Sequence, residues 1–92
     1  MMLTQEEYKV LMLVAKRTKM DCWFTILYTA NGNPYVYDLE NKKRISTKTA
    51  ILQLCEGVED PDNYRNCRLT PEEDRIFRKI VERYGGQLAQ IL

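Results

Sequence analysis

Histidine is absent from the 92-residue sequence, which removes both the commonest general base near neutral pH and the commonest metal ligand. A Ser or Cys nucleophile needs a base to take its proton, so the usual catalytic triads cannot be assembled. Charge of one sign is also lacking. Fourteen Lys and Arg stand against thirteen Asp and Glu, a net charge of +1, too little to steer the whole chain toward nucleic acid or an acidic membrane. No apolar run approaches the ~18 residues of a membrane span. The stretch Val10 to Ala15 has Glu6, Glu7 and Lys9 before it and Lys16, Arg17 and Lys19 after it. A secretory signal places positive charge before its apolar run and small residues after it, so this stretch reads as a helix of a soluble protein, and no membrane contact is expected.

The three cysteines, Cys22, Cys55 and Cys67, are odd in number and widely spaced, unlike a disulfide framework, and reduced thiols in a cytoplasmic protein are the expectation. Without a C-x-x-C pair they also lack zinc-site spacing. Asp60-Pro61-Asp62 opens like a calcium loop, but Tyr64 and Arg65 stand where an oxygen ligand and glycine are required. Neither phosphate-loop motif occurs, and Gly85-Gly86 follows a helix where phosphate loops precede one. The sequence therefore implies no metal and no cofactor. The acidic groups Glu6/Glu7 and Glu72/Glu73/Asp74 fall in first helical turns, where the helix dipole favours them without any catalytic role.

What is present suits a globular chain: 45% apolar and 29% charged residues are ordinary values for one, and the length bounds it to a single domain over 1–92. Leu3-Thr4-Gln5-Glu6-Glu7 is a capping-box sequence that predicts a helix from about Gln5 to Thr18. Its apolar positions Tyr8, Val10, Leu11, Met12, Val14 and Ala15 sweep half the circumference, which places it at the centre of the domain. Cys22 to Thr29 is rich in aromatic and β-branched residues and reads as a strand. Trp23, Thr25, Leu27 and Thr29 share one face of it, and Phe24, Ile26 and Tyr28 the other. Asn31-Gly32-Asn33-Pro34 marks a turn, and Tyr35 to Leu39 a returning strand. Glu40 to Lys43 is a weaker turn, and Arg44-Ile45-Ser46 a possible third strand.

Ser46 or Thr47 caps a second helix with Ile51, Leu54, Cys55 and Val58 at helical spacing, and Gly57 is expected to end it in a left-handed conformation. The connection from Gly57 to Leu69 is long for a compact domain; within it Asp60 and Pro61 are placed to start a short helical turn. Leu69-Thr70-Pro71-Glu72-Glu73 repeats the first helix opening, a likeness that two helices obeying the same capping rule share by chance. It opens a last helix with Ile76, Phe77, Ile80, Val81 and Tyr84 in a narrow stripe. The expected fold is α+β, a small antiparallel two- or three-stranded sheet packed against three helices in the order α-β-β-(β)-α-α. Leu88, Ile91 and Leu92 in the tail are expected to be buried on the first helix or across a two-fold homodimer.

With no catalytic constellation, the sequence points to a small non-enzymatic interaction or regulatory protein that binds another macromolecule, with a protein as the favoured partner. Tyr64, Arg65 and Arg68 in the long connection are the candidate partner-binding residues, because Tyr and Arg are enriched at binding hot spots. The alternative is nucleic-acid binding by Lys42, Lys43, Arg44 and Lys48, which cluster at the second turn beside Trp23, Tyr28, Tyr35 and Tyr37. Cys67 is expected as a partly covered side chain; its setting between Arg65 and Arg68 is the one feature favouring a thiolate. In element order, Trp23 to Thr29, Tyr35 to Leu39, Arg44 to Ser46 and Thr47 to Leu54 resemble the small DNA-binding domains at the N-termini of tyrosine integrases. That resemblance covers about a third of the chain and rests on fold-level analogy alone.

Overall fold

Both capping-box sequences form as capping boxes in the computed structural model, which describes residues 3–85. At the first, Thr4 Oγ1 accepts from the Glu7 amide at 3.1 Å while Glu7 Oε1 accepts from the Thr4 amide at 2.8 Å, opening α1 (Gln5–Arg17). Thr70 and Glu73 make the same exchange at 3.1 and 2.9 Å, with Pro71 in the first turn, opening α4 (Pro71–Arg83). Ser46 caps α2 (Thr47–Gly57) by accepting from the Thr49 amide. In the long connection, Asp60 accepts from the Asp62 amide at 2.9 Å and Pro61 begins α3 (Pro61–Arg65). The helical turn anticipated there is thus a fourth helix, and the element order is α-β-β-β-α-α-α.

The meander has three strands, β1 (Phe24–Tyr28), β2 (Pro34–Asp38) and β3 (Lys43–Ile45), antiparallel in the order β1-β2-β3. Gly32, at φ 83°, turns the chain between β1 and β2, a left-handed conformation that glycine adopts without a Cβ clash. The second turn is held from within: Asp38 Oδ1 accepts from the amides of Glu40 and Asn41 at 2.9 and 3.0 Å, and Lys42 takes the left-handed position at φ 55°. Ile26 pairs with Val36, and Val36 with Ile45. Side chains alternate along a strand, so Phe24, Ile26, Val36 and Ile45 share the inner face. α1 packs on β1 and α2 on β2, while α4 packs on both helices from the other side. The main helix contacts with the sheet come from α1 and α2, and α1 is touched by β1, α2 and α4, as its wide apolar face requires.

The core is built on Leu11, Phe24, Ile51, Leu54, Phe77 and Ile80, all fully buried; each such side chain contributes about 1.5–3 kcal/mol of transfer free energy. Two long-range contacts bind the periphery to it. Arg83 of α4 pairs with Glu7 of α1 at 3.0 Å, and Arg17 at the end of α1 donates through Nη1 to the Cys67 and Arg68 carbonyls at 2.6 and 3.0 Å.

Gly57 corrects one expectation. It does not end α2 in a left-handed conformation, since the only non-helical glycine angles are at Gly32 and Gly85 among the described residues, and Val58 is the cap. A Cβ at Gly57 would fall on the Met20 sulfur. The glycine is there for close packing, which lets the chain between α1 and β1 lie against α2. Cys67 is corrected as well: it is fully buried, its thiol donating to the Asn63 carbonyl at 3.6 Å. Burial pushes the thiol pKa up against the lowering charge of Arg17, so the thiolate is disfavoured. Cys55 is buried and Cys22 exposed, and no two cysteines are joined. Leu88, Ile91 and Leu92 lie outside the described residues.

Candidate functional site

The pairing that places Phe24 and Val36 inward turns their alternate neighbours outward. Thr25 lies opposite Tyr37, Tyr37 opposite Arg44, and Leu27 opposite Tyr35. The Leu39 amide donates to the Trp23 carbonyl at 2.8 Å, which extends the ladder by one more pair. The outer face therefore carries Trp23, Leu27, Tyr35, Tyr37, Leu39 and Arg44, and no described helix packs on it. Trp23 is 45% exposed, Leu27 38% and Leu39 40%, while both tyrosines are half-buried among these neighbours. Three of the five large hydrophobic residues exposed among those described thus sit together, a clustering that single surface hydrophobics do not show.

Arg44 is the one charged group on this face. Its guanidinium lies over the Tyr35 ring, 4.3 Å from the centroid, a cation–π contact that keeps the side chain against the sheet and not out in solvent. The other cations named from the sequence do not join it. Lys42, Lys43 and Lys48 are all exposed, but Lys42 is in the turn, Lys43 pairs with Asp38 on the opposite parity, and Lys48 is in the first turn of α2. Lys43 also faces an anion, because the bonds Asp38 accepts from Asn41 hold its carboxyl below the usual range, with Lys43 adding to the effect. Tyr28 lies on neither patch. It borders a cleft of about 490 Å³ with Tyr8, Lys9, Met12 and Ile26, which no carboxylate lines among the described residues.

The second candidate, in the long connection, divides. Tyr64 faces inward, 6% exposed, stacked on Phe77 with ring centroids 6.0 Å apart. Its hydroxyl donates to Asp74 Oδ1 at 2.5 Å, and burial together with that bond raises its pKa above the usual tyrosine value. It anchors this chain's own core. Arg65 and Arg68 are exposed. Together with the Tyr64 edge, Leu69, Pro71 and Arg78 they border a cleft of about 430 Å³. Arg65 pairs with Asp62, and Arg78 grips both oxygens of Asp74 through Nε at 3.1 and 3.0 Å. Arg68 joins none of the ion pairs among the described residues.

Leu27, Leu39 and Arg78 are the residues that sequence reasoning passed over. The signal for the first two was present, since both faces of β1 are apolar while a sheet covered on one side needs only one. Nothing in the sequence connects Arg78 in the last helix with the 57–69 connection, and only the fold brings it to Arg65 and Arg68.

Among the described residues no group of three His, Cys, Asp or Glu is placed to hold a metal ion, and no helix is long and apolar enough to cross a membrane. No family model, curated protein or solved structure matches the chain. The likeness to integrase DNA-binding domains thus has nothing behind it beyond element order, and the structure adds α1, α3 and α4 to that order.

Proposed function

We propose that the chain is a small, non-enzymatic binding protein that docks a protein partner on the outer face of its sheet. The observation that carries this reading is the grouping of Trp23, Leu27, Tyr35, Tyr37, Leu39 and Arg44 on a face that no described helix covers. Trp, Tyr and Arg are the residues most enriched at protein-binding hot spots, and interface centres are depleted in charge. Here the centre of the face is aromatic and aliphatic with one guanidinium. Arg44, stacked on Tyr35, is already ordered, so little side-chain entropy remains to be lost on docking.

Trp23→Ala in an otherwise intact fold should weaken partner binding by about 2 kcal/mol or more, as truncation of a hot-spot aromatic does. The test is recovery of partners by a tagged chain from its native cells, with nuclease treatment in parallel, for the wild type and for Trp23→Ala/Tyr37→Ala. A protein that survives nuclease and is lost with the double variant supports the reading. Undiminished recovery by a double variant of unchanged melting temperature overturns it.

Nucleic-acid binding is the second reading, favoured by one observation: an arginine and aromatic rings share the face while Lys42 and Lys43 stand at the adjacent turn. Single strands bind to such surfaces by base stacking and phosphate contact. Each phosphate contacted contributes about −0.7 to the logarithmic salt slope on single strands. Replacing Lys42, Lys43 and Arg44 by Ser should then flatten that slope by about 2 units. Absence of oligonucleotide binding at low salt eliminates this reading.

A further inference from the structure

The arginines at the end of α1 and in the connection before α4 meet in a way the sheet face does not account for. Arg17, Asn66 and Arg68 line a recess of about 470 Å³, and no carboxylate lines it among the described residues. Arg65 and Arg78 nearby are each neutralised by an aspartate. Arg17 and Arg68 are not. Arg17 bonds to two carbonyl oxygens through Nη1, and carbonyls orient a guanidinium without cancelling its charge. Its Nε and Nη2 take no part in those two bonds.

The two bonds also build the recess. Arg17 holds the Arg68 carbonyl at 3.0 Å, so the backbone that carries one arginine is fixed by the other. Arg68 sits at φ 50°, left-handed backbone that glycine adopts more readily than any long side chain. An exposed, unpaired cation thus stands where the backbone favours no side chain at all. Asn66 adds an amide that can donate in the same recess. Two planar guanidiniums and an amide, with two positive charges uncompensated, match a tetrahedral dianion better than a single carboxylate, since each guanidinium can present paired N–H groups to paired oxygens. The recess lies beside the cleft bordered by Tyr64, Leu69 and Pro71, with Arg68 common to both. A group attached to the dianion therefore has an adjoining, partly apolar surface to lie on.

From this arrangement we propose that Arg17, Asn66 and Arg68 form a binding site for a phosphoryl group, either as free phosphate or as the phosphorylated side chain of a peptide. The site is separate from the sheet face and stands or falls independently of it.

The test titrates the labelled full chain with inorganic phosphate, followed by backbone amide and arginine side-chain resonances, against chloride at matched ionic strength. Saturable shifts centred on Arg17, Asn66 and Arg68, absent with chloride, are expected. Arg68→Gly relieves the left-handed backbone, so it should fold at least as stably as the wild type while its affinity for phosphate falls about tenfold or more, the effect of losing charge-assisted hydrogen bonds. Arg17→Lys keeps the charge but not the fork and should weaken binding similarly. A phosphoserine peptide, compared with its unphosphorylated form, separates the sources. Tighter binding than inorganic phosphate, with shifts extending to Leu69, identifies a phosphorylated side chain; equal affinity identifies the free ion. Shifts that chloride reproduces, or phosphate binding unchanged in folded Arg68→Gly, overturn the proposal.

Discussion

The two faces of the sheet are built from similar residues and meet different fates. Phe24, Ile26, Val36 and Ile45 face the helices, and the first and third of these are essentially buried. Trp23, Leu27, Tyr35, Tyr37 and Leu39 face outward at comparable hydrophobicity, and three of them are exposed. Apolar character alone does not say which face becomes core. The helices decide: α1 and α2 can cover one side of a three-stranded sheet, and the other is left over. An inner residue is held by close packing and an outer one by whatever docks on it, so the two should respond to substitution in opposite ways.

The largest expected effect is on the inner face. Phe24→Ala should destabilise the chain by about 3–5 kcal/mol, through lost transfer free energy and the cavity left behind. Its neighbour, Trp23→Ala, should cost under about 1 kcal/mol although it removes more atoms, as surface changes do. Chemical denaturation of both variants checks the pair, and equal losses would remove the distinction between the faces. Next comes Gly57→Ala, which forces a methyl group onto Met20 and should cost about 1–3 kcal/mol, the usual penalty of overpacking. Combining it with Met20→Ala should cost less than the two losses added, which a double-mutant cycle reads directly.

Two tyrosines make a finer comparison. Tyr64→Phe removes the bond to Asp74 and should cost about 1 kcal/mol, whereas Tyr35→Phe on the outer face keeps its ring under Arg44 and should leave stability within about 0.5 kcal/mol. The smallest effect is on pH dependence. Burial opposes ionisation of Glu7, but the Thr4 amide and Arg83 outweigh it and hold the carboxyl below its ordinary 4.5. A depressed folded pKa gives stability that is complete above the unfolded value and is lost as pH falls through the folded one. Glu7→Gln should therefore be less stable than wild type at neutral pH, and the difference should shrink below pH 4.5.

Local chemistry was legible in the sequence nearly residue by residue. Thr4 with Glu7, Thr70 with Glu73 and Asp60 with Pro61 each signal a helix start through atoms at most three residues apart, and each forms as read. The third strand at Lys43–Ile45 forms beside a turn that Asp38 organises from within. What was not legible depends on distant partners. Nothing near Tyr64 in the chain says that Phe77 and Asp74 will receive it. In the sequence Gly57 looks like a helix stop, because its true constraint, Met20, lies far upstream. The arginines flanking Cys67 suggest solvent, while the fold buries the sulfur and turns the arginines out. The same limit applied to the sheet, since alternation sorts residues into two faces without naming the one that the helices take.

Arg17 reaches across fifty positions of sequence to two carbonyls of the connection, and this ties the timing of local opening to a distant element. A connection of this length would ordinarily exchange its amide protons on its own, among the first parts of a domain to open. Here, opening the segment at Cys67 and Arg68 must also break the two bonds from Arg17. The connection should therefore open less readily than its length suggests, and the amides of Cys67 and Arg68 should show protection approaching that at the α1 terminus. Cutting the tie with Arg17→Ala should speed exchange in the connection alone, while Leu11 and its neighbours, deeper in α1, keep the protection of the global fold.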